Sequence, residues 1–354
     1  MEEKTDILGL LDLMTRPGFC VKDDQIIKVN SAARSMLISE QTNIHDFLIT
    51  GMDEYKDLKD GCLSLCISLS GVPVSATVTQ IGEYQVFVLQ PDDTNDVFDA
   101  MALIARELRK PLDSAMQLTD QLFQNTQPNS DAADQAARLN RGLHQILRIV
   151  SNLSYPASGI SSQEVRDVGS IVDEIMEKAT HLLSDRDLHL CYKGLSQTVY
   201  TLVDSQLLER ALLNLLSNSV KFTPSGGQIQ VSFSLIGKKL QLQIQDSGSG
   251  IADHIRAELF SRYLRQPGIE DSRQGLGLGM LLVQQCARIH GGVVLADKSG
   301  IGGSRITMTI PIRQHSSDRL HAPLNLWLDY AGGRDHTLVE LSDCLSSAHY
   351  DFSI

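Results

Sequence analysis

Residues 204–224 read DSQLLERALLNLLSNSVKFTP. Leu207, Leu208, Ala211, Leu212, Leu215 and Leu216 recur at helical spacing and define a buried face. Asn214, Asn218 and Lys221 then fall at i, i+4 and i+7, which lines two carboxamides and an ammonium along one side of that helix. Asn is a mediocre helix former, and Glu, Lys or Gln would solvate a face at lower cost. Carboxamide oxygens do suit a Mg²⁺ ion that keeps some of its water while bridging phosphate oxygens, and a lysine nearby adds a point charge for those phosphates. An amphipathic surface helix is the plainer reading of the same residues.

At 354 residues the chain is long enough for about two or three domains, each with its own core. Hydrophobic residues make up 42% and charged residues 21%, a globular composition. The formal charge of -12 argues against a general nucleic-acid binder, which needs a basic footprint. No apolar run approaches about 18 residues and the start lacks a signal-peptide pattern, so a cytoplasmic protein without a membrane span is expected. Cys20, Cys62, Cys66, Cys191, Cys286 and Cys344 are scattered without a CxxC pair, which points to neither a zinc site nor a disulfide framework.

Residues 1–92 alternate short elements. TDILGLLDLM (5–14) predicts a helix broken by Arg16-Pro17-Gly18, GFCVKDDQIIKVN two strands around Asp23-Asp24, SAARSMLI a helix, and residues 61–91 three strands. The stretch GFCVKDDQIIKVNSAARSML resembles a PAS sensor domain. His45 is the lone histidine of this segment and carries no haem assignment. A sensor with a small apolar pocket and an inert dimerisation module both remain open.

Residues 93–157 predict an antiparallel helical hairpin, with helix over Val97–Gln124 apart from Pro111, a turn at NTQPNSD, and a return helix over Ala132–Leu153. Leu139, Leu143, Ile146, Val150 and Leu153 alternate steps of four and three, a bundle seam that a single hairpin cannot bury, so two chains are expected to pair. ARELRKPLDSAMQLTDQLF resembles the phosphoacceptor helix of sensor histidine kinases, whose signature runs His-Glu-Leu-Arg-Thr-Pro-Leu. Here the acceptor position holds Arg106, whose guanidinium stays protonated and has no lone pair to attack a γ-phosphate. The resemblance makes Glu107 the proton-accepting neighbour, retained with nothing to act on. Lys110 replaces the small polar residue that would orient water for dephosphorylating a partner. His144 on the return helix is the alternative acceptor, set against a packing role beside Leu143.

Residues 163–313 give a helix (168–183), strands near 188–192 and 199–203, the opening helix, and a strand hairpin that ends in Asp246-Ser247-Gly248-Ser249-Gly250. Gly275, Gly277 and Gly279 then lead into an apolar helix (280–289), leaving free amides and a positive dipole end that suit phosphate oxygens. Asn214/Asn218/Lys221, Asp246/Gly248/Gly250, Phe260/Tyr263/Arg265 and the glycine run follow one another as do the asparagine, first glycine, phenylalanine and second glycine boxes of the histidine-kinase catalytic domain. That GHKL-type domain is shared with gyrase and heat-shock chaperones.

The resemblance implies an α+β multidomain chain: a PAS-like α/β domain, a hairpin forming a dimeric four-helix bundle, and an α/β sandwich that binds ATP and Mg²⁺. It would assign Mg²⁺ to Asn214 with support from Asn218, phosphates to Lys221 and Arg265, adenine to Asp246, and the lid hinge to Gly275, Gly277 and Gly279, with residues 266–274 moving when no nucleotide is bound. His290 reads as a structural cap. Partners would be a second copy or another histidine kinase, with a response regulator downstream. Three functions follow: a signalling scaffold that binds ATP without phosphorylating itself at position 106, a kinase acting on a partner chain or on His144, and an ATP-driven clamp. Residues 314–354 resemble nothing; LNLWLDY predicts a strand, HTLVELSDCLSS a helix and HYDFSI a last strand, with Leu326 and Trp327 suggesting that the segment packs on something.

Overall fold

The computed structural model describes residues 2–90, 95–127, 130–158, 163–252, 255, 259–260, 278–313 and 331–351. The chain forms two compact units, residues 1–94 with 230–311 and residues 95–229 with 312–354, a division that does not follow the four segments read from the sequence.

In the first unit, α1 (Glu2–Leu13) leads to β1 (Gly18–Lys22), β2 (Gln25–Val29), the short helices α2 (Ser31–Arg34) and α3 (Met52–Lys56), and then β3 (Cys62–Leu69), β4 (Val72–Ile81) and β5 (Tyr84–Gln90). Asp23 and Asp24 turn β1 into β2 with φ of 49° and 61°, a conformation that Asp tolerates better than most residues. Helix α2 is shorter than the sequence suggests, because Leu37 takes a φ of 63° just after it. Asn30 is the local organiser. Its Oδ1 accepts from the amides of Ala33 and Gly18, while Nδ2 donates to the Arg16 carbonyl, which ties α2 to the start of β1. Phe19 and Phe87 stack at 4.7 Å within an apolar core that includes Val21, Ile26, Leu63 and Val78.

The same unit contains β9 (Gly227–Ile236), β10 (Lys239–Asp246), α8 (Leu278–His290), β11 (Val294–Lys298) and β12 (Ser304–Pro311). Its strands run in the order β2-β1-β5-β4-β3-β11-β12-β10-β9. The join is antiparallel, with Cys62, Leu63 and Ser64 opposite Ala296, Leu295 and Val294. Gly61 makes this approach possible: at φ 109° a Cβ there would sit 2.3 Å from the Ala296 carbonyl oxygen. Around the join, Lys239 pairs with Asp53 and Glu54 at 3.0 and 2.9 Å, and Gln284 donates to Ser64 Oγ at 2.8 Å.

In the second unit, α4 (Asn95–Gln124) and α5 (Asp131–Ser158) form the expected hairpin. Helix α4 runs unbroken through Pro111. Proline costs a helix interior about 3 kcal/mol, and burial of Ala105, Leu112 and Met116 against Leu143, Leu147 and Val150 offsets that loss. The seam splits: Leu143 and Val150 are buried, whereas Leu139 and Ile146 join Leu103, Ile104, Leu108, Leu118 and Leu122 as large apolar side chains exposed on the single chain. There follow β6 (Glu164–Asp167), α6 (Val168–Leu182), β7 (Leu188–Lys193), β8 (Tyr200–Val203) and α7 (Ser205–Phe222), with β6 and β8 antiparallel. After residues 314–330, which include the expected strand LNLWLDY with Leu326 and Trp327 and lie outside the described residues, α9 (His336–Glu340) is a single short helix. Of the strand expected at HYDFSI, residues 352–354 lie outside the described residues, and its start falls in a 3-10 turn over Ser347–Tyr350, where Tyr350 turns inward, fully buried, with its Oη donating to the Leu338 carbonyl at 2.7 Å.

Candidate functional site

Helix α7 starts where Asp204 accepts from the Leu207 amide at 3.0 Å, and its leucine face is buried as the sequence predicts. The polar line is less uniform. Asn214 is 0% exposed: its Nδ2 donates to the Arg210 carbonyl at 2.9 Å and to Glu340 Oε2 at 3.0 Å, and its Oδ1 accepts from Arg148 Nη2 at 2.9 Å. The oxygen expected to meet Mg²⁺ therefore faces a guanidinium, which repels a divalent cation. Asn218 and Lys221, farther along the helix, are half-buried, and the Lys221 ammonium lies 6.0 Å from the Phe222 ring centre.

In the first unit, Asp246 ends β10 and is buried. Its Oδ1 accepts from the amides of Gly248 at 2.9 Å and Ser304 at 3.2 Å, and its Oδ2 from the Ser304 hydroxyl at 2.5 Å. These donors fix the side chain in orientation and leave acceptor capacity on Oδ2. The backbone crowds the acid as well: a Cβ on Gly303 would fall 2.2 Å from Asp246 Oδ1. Gly250 follows at φ 74°, which completes a turn that few other residues adopt. Sequence reasoning missed Gly303 and Ser304; the cue was the Gly302-Gly303 pair leading into β12 at Ser304.

Phe260 is buried and its carbonyl accepts from Gln90 Nε2 at 2.8 Å. Tyr263, Arg265, residues 266–274, Gly275 and Gly277 lie outside the described residues, whereas Gly279 sits in the first turn of α8. His290 donates from Nδ1 to the Cys286 carbonyl at 2.7 Å at the end of α8, in keeping with a structural cap. Among the described residues, no group of three or more His, Cys, Asp or Glu side chains gathers to hold a metal. No helix among them is long and apolar enough to cross a membrane.

On α4, Arg106 and Glu107 are both exposed and meet only loosely, 3.9 Å apart. His144 is 1% exposed; its Nδ1 donates to the Asn140 carbonyl at 2.8 Å, and the Tyr350 ring lies 4.9 Å away. Burial pushes its pKa down, so the imidazole is neutral, but the ring is shut off from any phosphoryl donor.

Residues 203–314 match the family described as histidine kinase-, DNA gyrase B-, and HSP90-like ATPase. The chain is 32% identical over 214 residues to the sensor protein RstB of Escherichia coli, covering 59% of this chain and 47% of that one. It is 26% identical over 226 residues to the adaptive-response sensory kinase SasA of Rippkaea orientalis, covering 60% and 57%. With the sensor histidine kinase WalK of Bacillus subtilis it is 26% identical over 237 residues, covering 62% and 37%. The chain thus spans about half the length of these curated relatives or less than three fifths of it. Among solved structures, full-length ShkA in complex with AMPPNP shares the fold at a TM-score of 0.50 and 21% identity, covering 62% of this chain and 47% of that one. Residues 203–314 thus resemble the histidine kinase-, DNA gyrase B- and HSP90-like ATPase family, and the chain as a whole is similar to sensor histidine kinases over about three fifths of its length.

Proposed function

We propose that this chain is a cytoplasmic, sensor-histidine-kinase-like signalling protein that binds ATP with Mg²⁺ and does not phosphorylate itself at position 106. The Asp246 cradle is the observation that carries the nucleotide reading: a buried carboxylate, oriented by three donors at a glycine turn, is suited to accept from the exocyclic amine of adenine. The donor set also fits Mg²⁺, which takes carboxamide, phosphate and water oxygens, with the metal role passing from Asn214 to Asn218 while Arg148 holds the Asn214 oxygen. Lys221 and Arg265 serve the phosphates, and Gly275, Gly277 and Gly279 the lid hinge. When bound, Mg²⁺ neutralises phosphate charge.

Arg106 supports the scaffold half of the reading, since an exposed guanidinium offers no nucleophile and Glu107 beside it has no imidazole to deprotonate. The antiparallel strands β1–β5 around one apolar core support a PAS-like sensor, and the exposed apolar face of the hairpin supports a four-helix bundle with a second copy or another histidine kinase. A response regulator is the downstream partner in this reading.

The test is incubation of the purified chain with ATP labelled at the γ-phosphate, alone and with a partner kinase, next to Arg106→His. Saturable binding without acid-labile label, with label gained by Arg106→His, is the expected result. Label on the wild-type chain alone overturns the scaffold reading, and label confined to the partner replaces it with transfer in trans.

A further inference from the structure

The C-terminal residues 331–351 make their densest polar contacts around Glu340, which is 0% exposed. Its Oε1 accepts from Arg210 Nε at 3.3 Å, and its Oε2 from Arg148 Nε at 3.2 Å and Asn214 Nδ2 at 3.0 Å. Arg210 belongs to α7 and Arg148 to α5, so one carboxylate bridges two helices that are distant in sequence. Asp343 supplies the second negative charge, accepting from Arg148 Nη1 at 2.9 Å, so two guanidiniums meet two carboxylates. The rest of the grip is both polar and apolar: Arg141 and Gln145 donate to the Ser342 carbonyl, Asn140 Nδ2 donates to the Tyr350 carbonyl, and Cys344 Sγ lies 3.2 Å from the Ser217 carbonyl, while Val339 joins the apolar cluster of Leu143, Leu147 and Val150, and Leu341, Leu345 and Tyr350 are fully buried.

We propose that residues 331–351 form a releasable latch that fastens α7 to α5 through the Glu340 carboxylate, and that its seat is a docking surface for an acidic helical turn of the same Glu-x-x-Asp chemistry. Three observations carry this. The segment is short, a five-residue helix and one 3-10 turn, and its described strand content is nil. Beside its apolar anchors, its attachment includes a buried charge cluster in which each ion is stable only while its counter-ions are present, so loss of one carboxylate strands the guanidiniums and loosens the segment as a unit. The seat is also imperfectly filled, because Asn140 Oδ1 is buried there without a hydrogen-bond donor. An incoming segment with a donor at that point would make a bond that the latch does not.

Cys344, buried under the latch, reports its opening. In the full chain carrying Cys191→Ser, alkylation of Cys344 followed by peptide mass spectrometry should be slow, and Glu340→Gln should accelerate it by on the order of 100-fold, the expected consequence of stranding two buried guanidiniums. Asp343→Asn, at a half-exposed position, should accelerate it about threefold to tenfold, and it keeps the test readable if Glu340→Gln does not fold. A fluorescein-labelled peptide of residues 331–351 should bind the Glu340→Gln chain saturably, and the same peptide with Glu340→Gln should not. Unchanged alkylation in both variants overturns the latch. Failure of the wild-type peptide to bind an opened, folded chain overturns the docking surface. Neither readout involves nucleotide, so both are independent of the ATP reading.

Discussion

Replacing Asp246 by Asn should separate the fold from nucleotide binding. The amides of Gly248 and Ser304 both point at Oδ1, so the new side chain must place its oxygen there and its NH₂ where Oδ2 was. The Ser304 hydroxyl can rotate from donor to acceptor, so its contact survives. What the fold loses is charge assistance on two hydrogen bonds, about 1 kcal/mol each at most, which is a Tm decrease of roughly 4–8 °C for a cooperative unit of this size. What adenine meets is worse: an NH₂ group facing its own exocyclic amine. A lost charge-assisted bond together with two opposed donors costs about 3–5 kcal/mol, a loss of roughly 100-fold or more in affinity. Titration with a ribose-labelled fluorescent ATP analogue in magnesium buffer, beside thermal melting of both proteins, reads the two effects separately. An affinity within threefold of wild type would refute the adenine assignment, since no orientation of the amide both satisfies the two backbone donors and accepts from the base.

Other substitutions probe other joints. Gly292→Ala would put a Cβ 1.6 Å from the Thr309 carbonyl oxygen, so it should lower stability by about 3 kcal/mol or prevent soluble expression, as seen in urea unfolding. Leu118→Glu with Ile104→Glu places charges on the exposed apolar face of the hairpin, and sedimentation should show dimer converting to monomer with little change in melting. Lys239→Ala removes an ion pair that is partly open to solvent and should cost no more than about 1 kcal/mol, shrinking further in high salt. His144 is held neutral by burial, with the Asn140 carbonyl, Arg334, Asp120 and Asp335 as its electrostatic neighbours. Its pKa falls below the ordinary 6.5, so the unfolded chain binds the proton more readily; the stability it contributes is complete above that value and declines as pH drops below it. His144→Gln should flatten that acid limb of the urea midpoint, and an unchanged limb would count against the burial effect.

Much of the local structure was legible. The cap at Asp204, the leucine face of α7, the hairpin and the Asp23-Asp24 turn all follow from spacing and turn chemistry, which act over a few residues. The pairing of β3 with β11 was not legible, because strand partners more than two hundred residues apart leave no local periodic trace. The contacts of Asn214 were not legible for a related reason: its partners Arg148 and Glu340 come from distant helices, and composition alone cannot distinguish a carboxamide aimed at a metal from one aimed at a guanidinium. One cue was available in Leu338-Val339-Glu340-Leu341, where a lone acid interrupts an apolar run and so signals a buried counter-ion.

The continuous sheet of the first unit has a mechanical consequence. Pleated strands alternate their side chains, so a slip of β3 along β11 by a single residue would turn Leu63 out of its apolar cluster towards Gln284 and put Ser64 in its place among apolar side chains. Sliding is thus confined to two-residue steps of about 6.8 Å, each requiring every rung between Cys62–Ser64 and Val294–Ala296 to break at once. A displacement of the N-terminal strands therefore reaches β11 either as rotation of a stiff plate or as complete detachment. Intermediate sliding positions are sterically closed, and the seam behaves as a ratchet tooth rather than a spring.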